Sequence, residues 1–271
     1  MIIPAERWYE AIFRRHSRRQ FNHKPLPQEI IDQILAAEQG LNRLLPGARI
    51  VFRNQDPDEV FSGAIGTYGK IKDAPAYTAF IGDIRDPNVQ EKVGYLGECF
   101  ILEATALGLA TCWVGGFFRP ETVARQISIE SYEKVLAVTP VGFTESNYSL
   151  AEKMLSGMAG SKKRKPLEEL CPLGGQAERQ EWVEATLEAA RLAPSAVNRQ
   201  PWRFSVDDNT IKVSLDNNKR IASISNISKR LDCGIAMAHI EITALNQGVK
   251  GEWRYLTDPD VAVFETSGES K

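Results

Sequence analysis

The feature that most constrains this chain is an echo of itself. Glu103-Ala104-Thr105-Ala106-Leu107 is followed by Gly108 and Trp113, and Glu241-Ile242-Thr243-Ala244-Leu245 is followed by Gly248 and Trp253. Each string lies in a long helical pattern, and the helix–loop–strand order restarts in the C-terminal part. An imperfect internal duplication accounts for both facts. The polar stretch at 144–165, with its serines, glycines and basic cluster, reads as a linker or a loop wrapping the surface. Two halves are expected, residues 1–170 and a shorter 171–271.

In the first half, a short helix is predicted over 8–15, broken by the polar run at Ser17. Leu26-Pro27-Gln28-Glu29 opens a second helix, with Ile30, Ile31, Ile34 and Leu35 at helical spacing and Gly40 near its end. Short strands are expected over 49–53 and 76–81, the latter introduced by the turn Lys72-Asp73-Ala74-Pro75. Residues 93–110 form the strongest helix pattern, apolar on most of its surface and so buried on several sides. KVLAVTPV at 134–141 is apolar enough for a central strand. In the second half, helices are expected over 181–191 and 231–246, with strands at 203–206 and 211–213.

Composition removes several classes of function. With 271 residues, 43% hydrophobic and 25% charged, the chain is ordinarily globular. A net charge of −2 gives no global reason to expect nucleic acid or an anionic membrane as partner. The first nine residues lack the apolar core of a signal peptide, and no apolar run approaches membrane-spanning length. Cys99, Cys112, Cys171 and Cys233 form no CxxC pair, and His16, His23 and His239 show no metal-ligand spacing. Reduced thiols in a cytoplasmic protein are the natural reading.

Four strings could carry chemistry. RRHSRRQF at 14–21 offers forked guanidinium donors and a hydroxyl that could clamp a phosphate, or it is a solvated basic face. APSAVNRQPW at 193–202 is either a rigid loop whose backbone can approach a flat ligand or a helix-to-strand connection with good turn chemistry. GLATCWVGGF at 108–117 ends in paired glycines that present bare N–H groups, or simply turn after a buried helix. KKRKP at 162–166 is a second basic run, the default for which is a solvated surface.

Together these strings resemble the nitroreductase family of FMN-dependent oxidoreductases. Its members carry an R-x-S-x-R-like opening, an APS-x-x-N-x-QPW loop, a GLGTCW-like helix end before a glycine, and a basic R-K-P-L close. The resemblance spans residues 14 to about 253. It implies an α+β fold, a central mixed or antiparallel sheet flanked by helices in two pseudo-symmetric halves. One departure is informative. The Pro-Ser loop normally follows the R-x-S-x-R string by one helix, but EQGLNRLLP stands there, at 38–46. The loop appears instead in the second half, where LCPLGGQAER at 170–179 replaces the basic string. The chain looks like two family subunits fused, each keeping its contribution to one shared site.

By that resemblance, Arg15 and Ser17 would contact phosphate or ribityl, and His16 would have a structural or ribityl-contact role. Arg19 and Lys70 would face the pyrimidine edge of the flavin, and Lys162 and Arg164 would close a phosphate clamp. Val114, Gly115 and Gly116 would line the N5 side, with a backbone N–H directed at it. Pro194, Ser195, Ala196 and Asn198 would cover the flavin from the second half. The implied function is hydride transfer from NAD(P)H through FMN to a nitroaromatic, quinone or similar small acceptor in a ping-pong cycle, with no catalytic side chain and no metal. Alternatives are a dehalogenase or flavin-fragmenting enzyme of the same fold, a flavin-binding regulator without turnover, and a nucleic-acid-binding module. The fusion implies one FMN per chain and a protein able to bind it as a monomer.

Overall fold

The computed structural model describes residues 2–55, 57–62, 70–145, 163–172, 179–207, 209–216 and 227–267. The apolar helix expected over 93–110 forms as α4 (Val89–Ala106), and its echo as α8 (Lys229–Asn246). They end alike. Gly108 and Gly248 both take the left-handed φ of 79°, and the next residue's N–H returns to Ala104 or Ala244, as glycine-terminated helices require. The pattern ran four residues late because 107–110 are as apolar as the helix itself, and only the glycine marks the stop.

The first half runs α1 (Ala5–Arg14), α2 (Gln28–Leu41), β1 (Ala48–Arg53), α3 (Asp58–Phe61), β2 (Ala76–Asp83), α4, β3 (Ala110–Thr111), α5 (Pro120–Gln126) and β4 (Glu133–Gly142). It closes on α6 (Leu167–Leu170), and the second runs α7 (Glu181–Arg191), β5 (Trp202–Asp207), β6 (Thr210–Leu215), α8, β7 (Gly251–Tyr255) and β8 (Asp260–Thr266). The expected sheet is divided in two, β1-β2-β4-β3 and β5-β6-β8-β7, and every ladder is antiparallel. The strand orders correspond position for position. KVLAVTPV lies in β4, between β2 and β3, in the inner position its apolarity called for.

The two long helices pack on each other between the sheets, α4 against the first and α8 against the second, with α1 touching both. Their approach is backbone to backbone. A Cβ at Gly94 would collide with the Leu231 carbonyl, and one at Gly234 with the Glu91 carbonyl. These contacts are reciprocal, as a pseudo-twofold relation demands. One hydrophobic core runs through both sheets and both helices. A second cluster, including Tyr77, Ala79 and Ile81 of β2, covers the other face of the first sheet alone.

Helices this buried carry charge only where it is answered. Glu91 of α4 receives Arg230 of α8 through both carboxylate oxygens, at 3.0 and 2.5 Å. Tyr95 of α4 donates to Glu241 of α8 at 2.9 Å, as does Trp253 Nε1. Glu103 receives Arg7 and Trp8 of α1 at 2.5 and 2.6 Å.

Candidate functional site

The basic string leaves α1 as extended chain and is stitched to the first sheet. Ser17 bridges Thr111, Arg18 N–H donates to the Thr111 carbonyl, and Lys72 N–H donates to the Arg19 carbonyl. Arg15 and Arg18 are buried, at 8% and 9% exposure, while His16 lies outside and Ser17 and Arg19 are half-buried. Arg15 Nε stands 3.7 Å from Glu98 Oε1 and makes no hydrogen bond.

Arg164 reaches the same place from a distant part of the sequence. It donates to Asn198 Oδ1 at 3.0 Å and to the Leu192 carbonyl at 3.1 Å. Burial, and then the positive charges of Arg15 and Arg191, bring its guanidinium down to about 10. Two guanidiniums near enough for the charge of Arg15 to act on Arg164 could hold an anion with several oxygens.

The Pro-Ser loop is fastened to the segment that carries Arg164. Asn198 donates to the Lys163 carbonyl at 2.8 Å, and Gln200 Oε1 accepts Lys165 N–H at 2.8 Å. Ser195 Oγ accepts the Gln200 N–H at 2.9 Å. Val197, Asn198 and Gln200 hold φ of 48°, 55° and 48°, a concentration of left-handed non-glycine residues that marks a strained loop. What holds it is Asp232 at the start of α8, which accepts the Ala196 N–H at 3.1 Å and Arg199 Nε at 2.6 Å. Burial pushes the Asp232 carboxyl up to about 6 against the pull of Arg199. Arg199 also donates to the Ile227 carbonyl, and the Ile227 side chain fills the space where a Gly115 Cβ would be. Gly116 is open, with nothing within 4 Å of a Cβ placed there, and Val114 is locked to Val138 by two backbone hydrogen bonds.

Arg15, Arg164, Asn198 and the loop therefore converge, and Gly115 meets the second half through Ile227. Lys70 lines a separate cleft with Asp58, Phe61, Ser62, Ile71, Lys72 and Asp73. Two residues on, Lys72 joins this segment to the basic string, donating its N–H to the Arg19 carbonyl and accepting the Phe21 N–H. Lys162 falls outside the described residues. Arg199, Asp232, Glu98 and His239 were not among the candidate site residues read from the sequence. Glu98 left a signal, since a carboxylate within a helix buried on several sides must have a partner.

The family model "Putative TM nitroreductase" matches residues 7–244, and the chain belongs to the nitroreductase family of oxidoreductases. A "Putative NADH dehydrogenase/NAD(P)H nitroreductase" of Methanothermobacter thermautotrophicus is 30% identical over 149 residues, covering 51% of this chain and 78% of that protein. A putative nitroreductase of Thermotoga maritima MSB8 has the same fold, with a TM-score of 0.62 at 20% identity over 96% of this chain and 94% of its own. An FMN-dependent nitroreductase of Clostridium difficile R20291 aligns with 51% of this chain and 88% of its own, at 18% identity and a TM-score of 0.42. Among the described residues, no helix is long and apolar enough to cross a membrane.

Proposed function

We propose that this chain is a cytoplasmic, FMN-dependent NAD(P)H oxidoreductase with one flavin site built jointly by its two halves. The observation that carries the reading is the nearness of Arg15, which is buried, to Arg164, which is half-buried, two cations 149 positions apart in sequence whose charges oppose one another. A flavin phosphate answers that charge. Arg15, Ser17, Arg164 and Lys162 would hold the phosphate and ribityl end, with His16 beside them. Arg19 and Lys70 would supply positive charge to the pyrimidine edge. Val114, Gly115 and Gly116 would border the reactive edge with bare backbone, and Pro194, Ser195, Ala196 and Asn198 would cover the ring and exclude water. The chemistry FMN supplies when bound is acceptance of hydride from NAD(P)H and its return to a nitroaromatic, quinone or similar small acceptor. Substrate and acceptor would use the open face at Gly116 in turn.

The division into halves, at about residue 170, supports a single site and a monomer. About half of this chain matches most of the Methanothermobacter relative, whereas the Thermotoga relative is matched nearly end to end. The counterpart of the basic string has one arginine, Arg179, which binds the Cys171 carbonyl at 2.7 Å and Glu184 at 3.3 Å. A phosphate dianion buried there would lack donors.

The purified protein should be yellow, release FMN in acid, and bleach anaerobically with NADH or NADPH. Flavin absorbance with light-scattering mass should give one FMN per monomer. An FAD peak, or colour that persists under both nicotinamides, would overturn the cofactor or the enzyme reading respectively. Two FMN per chain, or binding only in a dimer, would overturn the fused-site reading.

A further inference from the structure

Beneath the paired arginines lies a buried group that the proposed chemistry does not use. Glu98, in the middle of α4, is fully buried. Its Oε2 accepts Trp113 Nε1 at 2.8 Å, and its Oε1 faces His239 Nε2 of α8 at 3.0 Å and Arg15 Nε at 3.7 Å. The other ring nitrogen of His239 lies 2.8 Å from the Ala189 carbonyl, near the end of α7.

Donor counting fixes a proton in this cluster. The Ala189 carbonyl can only accept, so His239 Nδ1 carries a hydrogen. A carboxylate can also only accept, so a second proton must lie between Nε2 and Oε1. His239 and Glu98 thus share a proton in a dry place, with Arg15 beside the same oxygen. Burial alone would push the Glu98 carboxyl up, but the hydrogen bond and charge of His239, with Arg15 and Trp113, hold it below the usual carboxylate range. Each contact leads to a different part of the proposed site: Arg15 to the phosphate, Trp113 to the adjoining Val114–Gly116 segment, and Ala189 to the helix that enters the Pro-Ser loop.

We propose that Glu98 is the positioning residue for Arg15, held in place by His239 of the second half, so that the phosphate grip of one half is aimed by the other. This rests on the flavin reading above. The argument is electrostatic: Arg15 has no hydrogen bond to fix its Nε, and the buried carboxylate is the only counter-charge among its described contacts. At low effective dielectric an ion pair at this distance still orients the cation.

The test is Glu98→Gln. The amide can accept from Trp113 and donate to a His239 that keeps only its Nδ1 hydrogen, so both hydrogen bonds survive, while the carboxylate facing Arg15 is lost together with the proton it shared with His239. The full-length apo-protein is titrated with FMN and with riboflavin, which lacks the phosphate. The FMN dissociation constant should rise about tenfold, as expected on loss of a supporting partner, while riboflavin affinity stays within about twofold. Combining Glu98→Gln with Arg15→Ala should weaken FMN no further than Arg15→Ala alone. Equal losses for both flavins would reduce Glu98 to a structural residue and overturn the proposal. So would unchanged FMN binding, or tighter binding, which would mean that the carboxylate merely repels phosphate. Should Glu98→Gln fail to fold, His239→Gln carries the same comparison of flavins. Wild-type protein that bound neither flavin would overturn the cofactor reading itself.

Discussion

In the first half, six residues (42–47) carry the chain from α2 into β1; in the second, ten residues (192–201) carry it from α7 into β5. The short connection is self-contained. Asn42 bonds both the N–H and the carbonyl of Ile50, and the one left-handed position falls on Gly47. The long one places valine, asparagine and glutamine at left-handed φ and relies on Asp232, Lys163 and Lys165 to hold it. The sheets differ likewise. β2 is buried on both faces, whereas β6 buries Ile211 and Val213 and turns Lys212 and Ser214 outward. The two sheets share one strand order and one core and differ in their loops, since an interface constrains packing more tightly than a connection.

The equivalence of the halves is most severely tested at their contact. Gly94→Ala and Gly234→Ala each drive a methyl group into a carbonyl of the facing helix, and neither backbone can yield cheaply. Alanine's helix propensity returns about 1 kcal/mol, so each variant should still lose about 3 kcal/mol or more in urea unfolding. Comparable losses support the pseudo-twofold relation; tolerance at one site alone breaks it.

Next in size is the division of labour between arginines. Arg15→Ala should weaken FMN roughly tenfold to a hundredfold, the contribution of charge-assisted hydrogen bonds to a phosphate. Arg179→Ala, at the corresponding place in the second half, should leave the affinity unchanged. A flavin titration in which Arg179→Ala lost affinity would mean that the second half keeps a working site.

A smaller effect concerns acid. The Glu98 carboxyl lies below its ordinary value of 4.5 in the folded protein. Its stabilisation is therefore fully present above about pH 4.5 and is lost as the pH falls through the lower folded value. Glu98→Gln should be less stable than wild type at pH 7, and the gap should close in acid. A gap independent of pH would show that Glu98 is not held as a carboxylate.

Much of this was legible in residues with local causes. The helix at 181–191 has the bounds read from the sequence, and the Gly108 and Gly248 stops are chemistry that a string can display. Strands β7 and β8 were not foreseen: GEWRY alternates weakly, and DVAVFET gains its place only by pairing with β6. The convergence of Arg15 with Arg164 was expected from the resemblance alone, since nothing local couples positions so far apart. Arg199, Asp232 and His239 stayed hidden because a charge reads as surface until its partner on another element is known.

The smallest predicted effect returns to the two connections and reverses sign between them. Val197 is a β-branched residue at φ 48°, ψ 27°, and the residue is 40% exposed. That backbone costs a non-glycine residue about 1–3 kcal/mol, and the exposed side chain recovers little by burial. Val197→Gly removes the strain but frees the unfolded chain, a loss of about 1 kcal/mol. The balance should be a gain near 1 kcal/mol, seen as a slightly higher melting temperature of the apo-protein. Gly47→Ala puts a Cβ at φ 89° and within 2.5 Å of Asp86 Oδ2, so it should lower the melting temperature. If both variants were destabilised alike, the second-half loop would not be storing strain. Its left-handed residues would then be as settled as the glycine turn they replace, and the contrast between a relaxed connection and a tensioned one would fall.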